Sequence, residues 1–166
     1  MVIAPMKAHA IAGFTLVELV VTVSLIGILL AVAVPGMRQL SLNQGVKTAA
    51  FDLLSALQYA RSEAIKRPSE VVTLKAGATT DGAWSTGWRL LDGSSNVLRS
   101  WSIASNITVT DTNTTPVTAV SFGKDGHLTV TPKFEVDPAS TTAGVSARCV
   151  KVDLMGRPMS NSGGCT

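Results

Sequence analysis

Between Leu19 and Met37 the chain carries no charged side chain, and the apolar run reaches back to Phe14 with Glu18 as its one charge. A helix needs ~20 apolar residues to cross a bilayer, so this stretch is long enough to span one. The hydrophobic share of the 166 residues, 46%, is therefore unevenly spread, and the remainder of the chain reads as one soluble domain. The formal charge of +3 falls to +2 if Lys7 is lost with an N-terminal leader. An excess that small implies no nucleic-acid partner by itself, so any anionic ligand has to be argued from where the cations cluster.

The order of elements at the N-terminus is not that of an ordinary secretory signal, in which a small-residue cleavage site follows the apolar region. Here Met1 to Gly13 form a short leader with Lys7 as its formal charge, and the apolar run begins after Gly13. A cut after Ala33 is the alternative. Glu18 is the informative residue, because a carboxylate near the start of an apolar span is costly in lipid and marks a specific partner. Cleavage between Gly13 and Phe14 would create an α-amino group four residues away, and the amine of a neighbouring subunit could neutralise Glu18 when helices stagger. A glutamate that snorkels to the headgroups is the other reading.

The segment Gly13-Phe14-Thr15-Leu16-Val17-Glu18-Leu19 resembles the type III signal of type IV prepilins and type II secretion pseudopilins. That resemblance implies cleavage after Gly13 by a prepilin peptidase, N-methylation of Phe14 and an assembly role for Glu18. It also implies a single-pass inner-membrane precursor with its C-terminal domain in the periplasm, whose partners are other pilins or pseudopilins in a filament.

Beyond Pro35-Gly36, Val46, Ala50, Leu53, Leu57, Ala60 and Ala64 recur every three or four residues, the signature of one apolar helical face. One helix is predicted from Phe14 to Arg67, with a bend possible at Pro35 and a stop at Pro68, roughly 80 Å long at 1.5 Å per residue. The expected segments are 1–13 (leader), 14–37 (transmembrane half), 38–67 (amphipathic half) and 68–166 (β-rich domain). Within the last, strands are predicted at Glu70–Lys75, Gly87–Leu91, Val97–Trp101, Val117–Phe122, His127–Thr131 and Val145–Asp153. Gly123-Lys124-Asp125-Gly126 is a hairpin turn, and Thr108–Pro116 and Asp137–Gly144 are polar loops. The fold class is α+β.

Trp84 to Asp92 (Trp-Ser-Thr-Gly-Trp-Arg-Leu-Leu-Asp) and Val120 to Gly126 (Val-Ser-Phe-Gly-Lys-Asp-Gly) resemble the domain shared by secretion pseudopilin H and minor pilins of the FimT and FimU type. The type IV pilin fold is what this implies. Trp84 and Trp88 read as core or interface anchors rather than a base-stacking platform.

No catalytic constellation emerges, so the chain is not expected to be an enzyme, and no cofactor or metal is implied. Outside the leader, His127 is the sole histidine, which leaves a Ser-His-Asp triad one possible base. Gly123–Gly126 lacks the spacing of a phosphate loop. Cys149 and Cys165 would reach an oxidising compartment and pair there, stabilising the tail by about 3 kcal/mol, the alternative being two unpaired buried thiols. Arg148 and Lys151 fall on opposite faces of a strand, and Arg157 lies in the loop the cysteines would close. Gly156-Arg157 resembles the start of the Gly-Arg-x-Arg motif of FimT-like minor pilins, whose basic tail engages DNA, but Met159 stands where the second arginine would be. Weak, sequence-independent contact of Arg157, Lys151 and Arg148 with double-stranded DNA is the resulting expectation.

Overall fold

The computed structural model describes residues 14–165, so Gly13 and the leader lie outside the described residues. The chain divides into two units, Met1–Met37 and Arg38–Thr166, and helix α1 (Leu16–Lys66) contributes to both. In the first unit every described residue is exposed, including Leu16 at 78% and Val32 at 76%. An α-helix satisfies its backbone groups internally, so this half needs nothing around it except an apolar medium. Pro35 sits inside α1.

In the second unit the expected apolar face of α1 is buried along its length, with Ala50, Leu53, Leu57 and Ala60 at 0% exposure. Burying each leucine contributes about 2 kcal/mol. The helix ends at Lys66, one residue before the expected Arg67. Pro68 explains the difference, since its ring disfavours helical backbone at the residue before it.

That face packs on two antiparallel four-stranded sheets. The first has the order β3-β2-β1-β5, from β1 (Val72–Ala76), β2 (Trp88–Leu91), β3 (Val97–Trp101) and β5 (Ala119–Phe122). The second has the order β4-β6-β7-β8, from β4 (Ile107–Asp111), β6 (Lys133–Pro138), β7 (Arg148–Val152) and β8 (Pro158–Ser162). Alternation along each strand sends Val72, Leu74 and Phe122 from one sheet, and Phe134, Val136 and Val150 from the other, into one core. Trp84 and Trp88 are both buried there. The Trp84 ring lies 4.6 Å from that of Phe134, and its Nε1 donates to the Val117 carbonyl at 2.6 Å.

Three strand assignments differ from the sequence reading. His127–Thr131 forms no strand, because the turn before it closes on itself: the Gly123 amide donates to the His127 carbonyl at 3.0 Å and the His127 amide to Asp125 at 3.1 Å. The strand comes later as β6, which takes in Asp137, expected in a loop. The expected loop Thr108–Pro116 begins with β4, whose Val109 pairs with Val136 of β6. The tail supplies an eighth strand, β8, paired with β7 from Arg148↔Ser162 to Val152↔Pro158.

Candidate functional site

At the N-terminal end of α1, Thr15 and Glu18 form a reciprocal cap. The Thr15 amide and hydroxyl donate to the Glu18 carboxylate at 3.0 and 2.8 Å, and the Glu18 amide donates to Thr15 Oγ1 at 3.2 Å. A helix leaves its first amides without partners, and Thr-x-x-Glu is the sequence that satisfies them. The same carboxylate is thus the acceptor for its own helix end and the one charge of the apolar half. By length and composition α1 suits a membrane span, and none of its most apolar window is buried inside the protein.

The tail is tied down at several points. Cys149 of β7 and Cys165 are joined by a disulfide, with Cα atoms 4.9 Å apart. The Cys165 amide also donates to Glu135 on β6 at 2.7 Å, and the Gly163 amide to the Ala147 carbonyl at 2.8 Å. Glu135 and Asp137 share the outer face of β6. Burial, and then the Glu135 carboxylate beside it, push the Asp137 carboxyl above its ordinary range.

The three tail cations do not converge on one patch. Arg157 follows Gly156, whose backbone at φ 72° packs so tightly that a Cβ there would lie 2.0 Å from the Gly126 carbonyl oxygen. Its Nε and Nη2 each donate to Asp153 Oδ2 at 2.8 Å, and its amide to Asp153 Oδ1 at 2.8 Å. That amide and the guanidinium hold the Asp153 carboxyl below its usual range, so the charge of Arg157 is already answered. Arg148 lies on the core side of β7, its guanidinium 5.8 Å from the Phe51 ring centroid and its Nε 3.4 Å from Ser160 Oγ. Lys151 belongs to the opposite face, in register with Lys133 on one side and Met159 on the other.

Two further cations on α1, Lys47 and Arg61, border the same seam as Arg148 and Arg157. They lie roughly four turns apart on one side of the helix, a periodicity present in the sequence but indistinguishable there from a solvated face. His127 Nδ1 lies 3.1 Å from Asp125 Oδ2 in its turn. Among the described residues no group of three or more His, Cys, Asp or Glu side chains could hold a metal ion.

A long N-terminal helix whose second half packs on antiparallel sheets is the architecture of type IV pilins. The fold matches two crystal forms of the type IV minor pilin FimU of Pseudomonas aeruginosa at 24% identity. The TM-scores are 0.57 and 0.56, covering 70% and 69% of this chain and 87% and 91% of the two crystallised chains. No curated protein matches the chain. Residues 49–156 match the family model of the type II transport protein GspH, and residues 9–34 that of the prokaryotic N-terminal methylation motif. The chain belongs to the GspH family and is a GspH/FimT-like type IV pilin.

Proposed function

We propose that the chain is a minor subunit of a type IV pilus, acting in assembly priming or at the tip. It is made as a single-pass inner-membrane precursor with its second unit in the periplasm. A prepilin peptidase cuts between Gly13 and Phe14, and Phe14 is then N-methylated. The observation that carries this reading is the contrast within α1 between a half with no buried residue and a half with a fully buried face. A helix of that kind is stable when apolar neighbours surround its first half, first lipid and then other subunits. Glu18 gives the exchange its register, because its charge stays costly until an amine from a neighbouring subunit meets it.

A minor pseudopilin of a type II secretion machine is the second reading, and the description of the matching family, a type II transport protein, favours it. Contact with duplex DNA through Arg157, Lys151 and Arg148 gains no support from the geometry, since Lys151 lies on the opposite face of β7 from Arg148 and Asp153 neutralises Arg157. The test is an in-frame deletion in the source organism, scored in parallel for surface pili and for secreted enzymes. The proposal expects pili to be lost while secretion continues. The opposite pattern assigns the chain to the secretion machine, and a strain normal in both refutes the filament role.

A further inference from the structure

The second half of α1 leaves a broad face outside the core, and one stripe of that face runs beside the second sheet. Lys47, Phe51, Gln58, Arg61 and Ile65 are spaced by three, four and seven residues, so they fall on one narrow arc of the helix over about 27 Å of its axis. Across a seam from this arc lie β7 and β8. Gln58, Arg61 and Ile65 line a groove of about 500 Å³ with Arg157 and Pro158, and Lys47 lines another of about 360 Å³ with Arg148 and Ser162. Phe51, 57% exposed, sits between them under the Arg148 guanidinium.

The charges along this seam are one-sided. Arg157 is answered by Asp153 and Lys66 by Glu63, but among the described residues Lys47, Arg61 and Arg148 have no carboxylate within ion-pair distance. Arg61 is also held in place. Its Nε is buried without a hydrogen-bond partner, and a Cβ added at Gly126 would come within 3.1 Å of it, so the glycine turn makes room for the side chain. Arg61 beside exposed Ile65, and Arg148 over exposed Phe51, pair a cation with an apolar side chain twice along the seam, the polar and apolar anchors found at the centre of protein interfaces. A phosphate backbone would meet the cations but offer Phe51 and Ile65 nothing to pack on, whereas a folded domain supplies both.

We propose that this seam is where the adjacent pilin-type domain docks in the filament, placing acidic side chains against Arg61 and Arg148 and an apolar one over Phe51. The inference rests on the filament reading and specifies which surface that reading uses. A photo-crosslinking residue at exposed Gln58 of the full chain, expressed in the source organism, tests it in isolated filaments with the linked peptide identified by mass spectrometry. The expected product joins Gln58 to an Asp- or Glu-rich peptide of another subunit bearing the N-terminal methylation motif. Arg61→Glu with Arg148→Glu should cut its yield at least tenfold, and reversing the acids on the linked peptide should restore it. A chain present in filaments but crosslinked to no such domain, or crosslinked to DNA, overturns the proposal while the filament reading stands. A product that survives the double reversal also overturns it. Absence of the chain from filaments removes both.

Discussion

Thr15 and Glu18 cap the same helix end reciprocally, with three hydrogen bonds of 2.8 to 3.2 Å between them. The carboxylate proposed to meet a neighbour's amine is therefore already engaged within its own chain, and docking has to share or displace the cap. The two roles separate by mutation. Thr15→Val removes the cap's hydroxyl at a cost of about 1 kcal/mol but keeps the charge, so incorporation into filaments should fall only modestly. Glu18→Ala removes the charge, and the variant should still insert into the membrane but fail to assemble. Quantifying both in membrane and filament fractions checks this, and normal incorporation of Glu18→Ala refutes the pairing.

The tail should depend on its crosslink. The cysteines are 16 residues apart in sequence, a separation for which loop closure in the unfolded chain is worth about 3 kcal/mol. Cys165→Ala should lower the urea midpoint of the domain from residue 38 onward accordingly. Hydrogen exchange should show the loss first in β8, whose sequence Pro-Met-Ser-Asn-Ser has little intrinsic strand preference.

Asp137 should titrate visibly. Its folded carboxyl is raised, so ionising it disfavours the native state. The penalty grows as pH rises from the unfolded carboxylate value through the folded one, and disappears below the unfolded value of roughly 3.9. Asp137→Asn should therefore be more stable than the parent at pH 7 and equal to it near pH 3, as read from urea midpoints at the two values.

Arg157 spends its charge on Asp153. Arg157→Ala removes the guanidinium but keeps the amide that lowers Asp153 most, so the Asp153 carboxyl should rise only part of the way toward its ordinary range, seen in an NMR titration, while the titration of the domain against duplex DNA at low salt stays unchanged. A clear loss of DNA affinity with the fold intact would restore the tail as a DNA contact.

The helix is legible in the sequence because its two signals are strong and local: a charge-free run from Leu19 to Met37, then burial at spacings of three and four. The sheets are less so. Ile107-Thr108-Val109-Thr110 alternates as a strand should, but the surrounding threonines and asparagines mimic a loop. Lys133-Phe134-Glu135-Val136 alternates as well, and is obscured because the turn sequence at Gly123, read as a hairpin, points to a strand directly after it, where the structure has none. Nothing local marks β8, which exists through its pairing with β7 and the Cys149–Cys165 bond. At the candidate sites, Thr15 and Glu18 are close in sequence, and their cap is readable as Thr-x-x-Glu. The seam at Arg61 is not, because its lining comes from segments that meet only in the folded domain.

The filament role is most directly tested by intact-mass analysis of the chain in purified filaments and in membranes. The filament fraction should contain it in minor amount with Phe14 as its N-methylated first residue, and Gly13→Ala should leave it unprocessed in the membrane. A chain that begins at Met1 or near Pro35 in assembled filaments, or that is absent from filaments while abundant in membranes, would contradict that role.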